Sequence, residues 1–524
     1  MSKQNNSIKN HPNKYNTEHC NNSMTFQDCE LAILRHAVDE NEKIQNEKVY
    51  NSEEIKTMIS IVETFIKDKQ LICYGGTAIN NILPTYDQFY DKDVEIPDYD
   101  FYSINALDHA KELANTYYKL GYLDVEAKSG IHPGTYKVFV NFIPIADITF
   151  LDNTIYNSIK KESIVIAGIK YAPPNFLRMN MYLELSRPYG DVSRWEKVLK
   201  RLNLLNKHYP LESGLKCNIM KKYKHQDLPT KLRLAINKTT KIYNIIKESF
   251  IEQGVVFFGS FSTRLYSKYI KKKSHNTNQF MYDDIREFDV LSETPELTAE
   301  IVIKKLKYNN ITNITQIIHP QIGELIPENI EIQISSETVA YIYKPIACHN
   351  YNTITINNVK INIATIDTML SFYLAFIYIN KPFYAKEKIL CIAKMLFDIE
   401  QQNKLSQYGI LKRFRMNCIG KQSTLENIRS EKADKYKELM HKKGTREYET
   451  WFLKYNPNEQ NMKLHKKHLE KIKSNTLSKH LNTADNWYIT KPLKRNKTKK
   501  IIRRLKNKQS FKNNKLSKSS SYLF

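Results

Sequence analysis

Apolar residues recur along this chain in two rhythms. Ile55, Met58, Ile59, Val62, Phe65 and Ile66 fall on one helical face. Asn51-Ser52-Glu53-Glu54 just before them is a capping-box pattern, so a helix is predicted from Asn51, with another ahead of it. Residues 1–24 are rich in Asn, Lys and His, have little to bury and are expected to be disordered. The rhythm then changes. Leu71-Ile72-Cys73-Tyr74-Gly75-Gly76-Thr77-Ala78-Ile79 reads as a short strand, a tight turn and a helix from near Thr77. Residues 106–120 predict a helix stopped by Gly121 at the C′ position. Residues 123–127, 136–142 and 145–150 predict strands.

The same order returns later. Val255-Val256-Phe257-Phe258-Gly259-Ser260-Phe261-Ser262-Thr263 is again strand, turn and helix. A β-like stretch and an apolar helix close each half: residues 164–171 then 172–188, and residues 359–363 then 364–382. The acid-to-helix distance is 72 residues from Asp100 to Ala172 and 75 from Asp289 to Ala364. Matched order and spacing indicate an internal duplication. The longest apolar run, around residues 369–379, is far short of a membrane span and predicts a buried helix. Residues 189–250 are largely helical and basic in pattern, and a charged helical region follows residue 397.

Chemistry enters with the acids. In Pro97-Asp98-Tyr99-Asp100-Phe101 the two carboxylates fall on one face of a strand and the two rings on the other. Asp147 lies in a further strand, Ile143-Pro144-Ile145-Ala146-Asp147-Ile148-Thr149-Phe150. Carboxylates gathered on one face repel unless cations sit between them. Three of them suit Mg²⁺ or Mn²⁺, and two such ions can activate a hydroxyl and stabilise a leaving pyrophosphate. Gly75 and Gly76 would let backbone approach a phosphate at a helix start, and Thr77 could add a hydroxyl. Each element alone is commonplace, a turn or a solvated strand edge; their order and spacing together point to metal-dependent nucleotidyl transfer. The second half keeps Gly259-Ser260 and Glu287-x-Asp289, but residues 330–343 offer only Glu337 as a third acid, so that copy is expected to be degenerate.

Composition narrows the partners. The 524 residues carry a net charge of +25, which favours a polyanion such as nucleic acid. From residue 486 to 524 there is no acidic residue, and residues 491–518 hold thirteen Lys or Arg. Lys494, Arg495, Lys499, Lys500, Arg503 and Arg504 are the candidate RNA contacts of this disordered basic tail. The seven cysteines are scattered with no C-x-x-C pair, which argues against a zinc cluster or a disulfide frame and for a reducing compartment. No apolar h-region marks a secretory signal, and no amphipathic anchor marks a membrane surface.

The Gly75-Gly76 turn with Asp98, Asp100 and Asp147 resembles the nucleotidyltransferase fold of the DNA polymerase β superfamily. The tandem of an intact and a degenerate copy behind a helical N-terminal region is similar to the poly(A) polymerase catalytic subunits of poxviruses and other large cytoplasmic DNA viruses. Leu185-Ser186-Arg187-Pro188-Tyr189-Gly190-Asp191-Val192-Ser193-Arg194-Trp195-Glu196-Lys197 adds to the likeness, which runs over about residues 50–400.

The resemblance implies an α+β fold with two tandem nucleotidyltransferase-like domains, each a mixed sheet with flanking helices. The expected division is a disordered 1–24, a helical 25–70, a catalytic domain 71–205, a helical connector 206–250, a degenerate domain 251–400, a helical 401–485 and a basic tail 486–524. It implies ATP as substrate, a single-stranded RNA 3′ end as acceptor and pyrophosphate as product. Asp98, Asp100 and Asp147 would hold two Mg²⁺ or Mn²⁺ ions, with Asp147 nearest the primer hydroxyl. Gly75, Gly76 and Thr77 would hold the triphosphate, and Arg178, Arg187 and Tyr189 would contact the nucleotide. A processivity subunit or a homodimer, and a viral factory in the host cytoplasm or a virion, are the expected settings. Uridylyl transfer, CCA addition, oligoadenylate synthesis and an inactive RNA-binding scaffold remain alternatives.

Overall fold

The structure is a computed structural model that describes residues 17–50, 53–90, 97–212, 230–270, 287–323, 325–379 and 386–460. The basic tail and its six candidate RNA contacts lie outside these residues.

Two eight-stranded mixed sheets carry the fold. The first is built from β1 (Ile72–Cys73), β2 (Tyr99–Ser103), β3 (Val125–Ser129), β4 (Thr135–Val140), β5 (Ile143–Phe150), β6 (Ile164–Ile166) and β7 (Ile169–Tyr171). The second is built from β8 (Val256–Phe257), β9 (Phe288–Leu291), β10 (Ile314–His319), β11 (Asn329–Ile334), β12 (Glu337–Tyr343), β13 (His349–Ile356), β14 (Val359–Ala364) and β15 (Cys418–Ile419). A last short strand, β16 (Lys454–Tyr455), returns to the outer edge of the first sheet beside β3. The strand orders are β16-β3-β4-β5-β2-β1-β7-β6 and β10-β11-β12-β9-β8-β14-β13-β15. Removing β16 and β15 leaves two seven-stranded arrays of the same order and strand direction, so the duplication read from spacing is present in three dimensions.

Local rules account for the elements that frame the site. The helix Glu53–Lys69 buries Ile55, Met58, Val62, Phe65 and Ile66, the predicted stripe. The helix Ala106–Lys119 ends where Gly121 takes φ +101°, a left-handed conformation that glycine adopts without cost. The two duplicated closing helices, Pro174–Leu185 and Ile366–Phe376, pack against each other. Every residue of Ile366–Phe376 is buried, as its unbroken apolar run predicted. Among the described residues no helix is long and apolar enough to cross a membrane.

A buried ion cluster fastens this central joint. The Arg413 guanidinium donates to both oxygens of Asp367, at 2.9 and 2.5 Å, and to Glu400 at 2.5 Å. Tyr182, from the first copy's closing helix, donates to the other Glu400 oxygen at 3.1 Å. Burial alone would lower the Arg413 pKa, but Asp367 and Glu400 overcome it and raise it.

Two expectations are corrected. The region after residue 400 is not purely helical: β15 and β16 lie within it because the sheet edges of both copies are completed late in the chain. Two pairs of cysteines also meet. Cys20 is bonded to Cys29, and Cys348 to Cys418, the latter where β13 and β15 pair His349 with Ile419. Spacing alone does not reveal such tertiary pairings. Cys73 is buried and free.

The cluster makes a stability prediction. Arg413→Ala leaves Asp367 and Glu400 buried without their cation, so it should cost about 3–5 kcal/mol. Urea unfolding followed by circular dichroism checks this; a loss under about 1 kcal/mol would show that the cluster contributes little.

Candidate active site

β2 and β5 run parallel, and Asp100 is the register partner of Asp147. Side chains directly opposite each other on neighbouring strands share a face, so the two carboxylates stand side by side. Asp98 precedes β2 by one residue and joins them at the same cleft. The sheet thus brings the three predicted acids together.

The glycine turn is packed onto this face. Gly75 takes φ +73°, and a Cβ there would come within 2.6 Å of Asp100 Oδ2. The Tyr74 N–H donates to the Asp100 carbonyl at 2.9 Å, tying the turn to β2. A Cβ on Gly76 would collide with the Tyr90 hydroxyl and meet Arg201 Nη1 at 2.9 Å. The helix Gly75–Ile82 starts here, two residues earlier than expected, and its first-turn amides lack intrahelical acceptors. Thr77 lines the same cleft; it is buried, and its hydroxyl donates to the Asp98 carbonyl at 2.7 Å, fixing the strand that carries the acids.

Electrostatics set the character of the face. Burial, and then the charges of Asp98 and Asp147, push Asp100 up to about 7. Burial, and then Asp147, raise Asp98 as well. Lys137 on β4 is the register partner of Asp147, and its ammonium donates to Asp147 Oδ2. This lysine was not foreseen, because its place depends on register rather than motif. Among the described residues no group of three His, Cys, Asp or Glu is arranged to hold a metal ion as it stands. The donor set of three oxygen-bearing carboxylates, two of them with raised pKa, still suits a hard divalent cation.

The cleft over this face has a volume of ≈ 790 Å³. Four cations, Arg187, Arg194, Lys197 and Arg201, also line it. Arg201 donates to the Tyr90 hydroxyl at 2.7 Å and lies 4.8 Å from the Phe89 ring centroid. Asn80, buried in the helix Gly75–Ile82, accepts from the Phe89 and Tyr90 amides at 2.7 and 2.9 Å, so this loop is held to the glycine turn. Gly323 and Leu325 of the second copy also line the cleft.

Of Arg178, Arg187 and Tyr189, Arg187 alone is part of the cleft lining. Arg178 is fully buried and donates to Asn206 at 2.8 Å, to Asn175 and to the Tyr209 carbonyl, a core role. Tyr189 is 66% exposed and is not part of the lining. Sequence reasoning missed Lys197 and Arg201, which lie on the helix Trp195–His208 at a four-residue spacing that puts both on one face.

The second copy keeps the frame and loses the acid. Ser260 donates to the Glu287 carbonyl at 2.7 Å, as Thr77 does to Asp98, and Gly259 lies against Asp289 as Gly75 lies against Asp100. The partner of Asp289 on β12 is Tyr341, and the residue opposite Tyr341 on β11 is Glu331. The third acid and its lysine are therefore replaced by Tyr341 and Glu331. Glu337, the candidate from sequence, stands exposed at the start of β12, away from that register position. Glu331 is buried, and accepts from Thr338 at 2.5 Å and Gln333 at 2.8 Å, with His319 Nε2 at 2.7 Å. Burial raises its pKa, but these hydrogen bonds outweigh that and bring it below the usual range.

The raised Asp100 gives a pH prediction. Between the ordinary carboxylate range and about pH 7, the folded state holds a proton that the unfolded state has released. Metal-free stability should therefore fall as pH rises through that window and level off above it. Asp100→Asn should flatten this dependence and melt about 2–4 °C higher than wild type at pH 8 without metal. Parallel pH slopes for the two proteins in thermal melts would contradict the assignment.

Residues 60–191, which include all three acids, match the model of the protein family described as "Poly(A) polymerase catalytic subunit". A 274-residue stretch is 28% identical to a "Putative poly(A) polymerase catalytic subunit" of Acanthamoeba polyphaga mimivirus, covering 51% of this chain and 45% of the relative. Over 174 residues the chain is 31% identical to a protein of the same description from African swine fever virus (strain Badajoz 1971 Vero-adapted), covering 32% of this chain and 36% of the relative. These matches span less than half the length of the relatives. The crystal structure of the Megavirus polyadenylate synthase superposes with a TM-score of 0.65 at 20% identity, covering 83% of this chain and 88% of that one. The chain is thus similar in sequence to the poly(A) polymerase catalytic subunits of large DNA viruses, and over most of its length it has the fold of a viral polyadenylate synthase.

Proposed function

We propose that this protein adds adenylates from ATP to the 3′ end of single-stranded RNA without a template, releasing pyrophosphate. The observation that carries this reading is the carboxylate face of Asp98, Asp100 and Asp147 set against the Gly75-Gly76 turn, within a cleft also lined by Arg187, Arg194, Lys197 and Arg201. A site of this kind binds a triphosphate and an acceptor hydroxyl together. The relatives' description as catalytic subunits supports a separate partner subunit, and the basic residues 486–524 supply a further RNA contact.

In the reaction the RNA 3′-oxygen bonds to the α-phosphorus of ATP while the bond to the bridging oxygen of the β-phosphate breaks. Asp98, Asp100 and Asp147 are the residues that would hold Mg²⁺ or Mn²⁺. When bound, such ions lower the pKa of the attacking hydroxyl and neutralise charge on the leaving pyrophosphate. Lys137 holds the Asp147 carboxylate in place through its hydrogen bond until the substrates arrive. Gly75 and Gly76 let the helix-start amides approach the phosphates. Arg187, Lys197 and Arg201, which line the cleft, offset the charge of the triphosphate. Thr77 holds the Asp98 backbone so that the carboxylates do not swing apart when their repulsion changes.

Primer extension tests the reading. The full chain is incubated with 5′-labelled RNA, Mg²⁺ or Mn²⁺, and one nucleoside triphosphate at a time. A ladder with ATP, reduced at least about 10³-fold in Asp98→Ala/Asp100→Ala, is the expected result. Extension with UTP or CTP in place of ATP would keep the chemistry and reject adenylate as the product. Equal extension by the double variant would reject this cleft as the active site.

A further inference from the structure

The incoming base must rest beyond the carboxylates, and the surroundings of Tyr102 in the cleft offer a place for it. Tyr102 follows Asp100 by two residues on β2, so it shares the same face about 7 Å further along the strand. Its ring is stacked on Tyr74 at 3.8 Å and meets Phe176 edge-on at 5.8 Å. Tyr74 is anchored in turn, its hydroxyl lying 2.9 Å from Thr149 Oγ1. Phe176, Leu177, Met181 and Leu183 make the adjoining wall apolar. A flat, apolar compartment one nucleoside length from three carboxylates is shaped for a base.

Asn180 sits on that wall. It is the single carboxamide among the described residues lining the cleft. Its neighbours Leu177, Met179 and Met181 on the helix Pro174–Leu185 are buried, so its position is fixed from below. Its amide nitrogen approaches the Tyr102 hydroxyl at a long 3.5 Å, which turns the carbonyl end away from that ring. Glu184, one turn further along, is already engaged by Arg194 at 3.3 Å.

We propose that Asn180 selects the incoming nucleotide by accepting a hydrogen bond from the exocyclic amino group of its base. This rests on the adenylyl-transfer reading above. Adenine presents an amino group at its 6-position, whereas guanine, hypoxanthine and uracil present a carbonyl oxygen in the corresponding place. A carbonyl acceptor facing that oxygen sets two lone pairs against each other, and turning the amide over to donate instead gives up its contact with the Tyr102 hydroxyl. The apolar width of the compartment then favours a purine.

Inosine triphosphate isolates this contact, because it replaces the 6-amino group of ATP with an oxo group. The full chain is assayed for kcat/KM with ATP and with inosine triphosphate on the same labelled RNA. Wild type should favour ATP by about tenfold or more. Asn180→Ala should bring the ratio to within about twofold, chiefly by losing ATP turnover. Asn180→Asp keeps an acceptor of the same shape and should preserve the preference. An unchanged ratio in Asn180→Ala, or an equal fall for both nucleotides in either variant, would overturn the proposal, since a merely structural role lowers both together. Wild type using both nucleotides equally would sink the selection alone. Wild type extending RNA with neither would sink the transferase reading and this inference with it.

Discussion

The parallel pairing of β2 with β5 governs this molecule, because it sets Asp100 directly beside Asp147 with Asp98 at the strand entrance. Three carboxylates so placed repel one another, and the rest of the site can be understood as the structure that tolerates the repulsion. Lys137 faces Asp147 from the next strand. Thr77 and Tyr74 clamp the backbone of Asp98 and Asp100 from the glycine turn. Burial, together with the repulsion that Lys137 leaves unbalanced, pushes Asp100 up to about 7. A folded protein keeps such strain where function needs it, and cations are the natural relief.

The second copy serves as an internal control on that idea. It has the same strand order, the same clamp from Ser260 to the Glu287 backbone and the same close contact of glycine with acid. Where the third acid would stand it has Tyr341, and where the lysine would stand it has Glu331. The two positions have changed together, as expected if Lys137 exists for the sake of Asp147. Glu331 is then satisfied by Thr338, Gln333 and His319, so the second sheet has exchanged an electrostatic problem for an internal hydrogen-bond network. The helix Ile366–Phe376 braces the helix Pro174–Leu185, and Gly323 and Leu325 complete the first copy's cleft.

Much of this was readable from the chain because it depends on short-range rules. Helical stripes, the Gly121 stop, the Gly75-Gly76 turn and the alternation that pairs Asp98 with Asp100 are local. The duplication was readable from spacing. Register was not. Lys137 and Tyr341 have meaning only once β4, β5, β9 and β12 are paired, and nothing in their neighbours marks them. Arg178 shows the converse failure. An arginine on a helix beside a nucleotide site invites a binding role, yet the helix turns it into the core toward Asn206 and Tyr209. The cleft cations Lys197 and Arg201 were hidden among many other basic residues, since charge abundance hides the few cations that a cleft selects.

Counting bound Mn²⁺ by electron paramagnetic resonance, with a non-hydrolysable ATP analogue present, tests most directly whether the first sheet alone forms the ion site. The account predicts that Asp98→Ala/Asp100→Ala abolishes tight Mn²⁺ binding, whereas Glu287→Gln/Asp289→Asn binds as wild type does. Retention of the ions in the first variant, or their loss in the second, would contradict it.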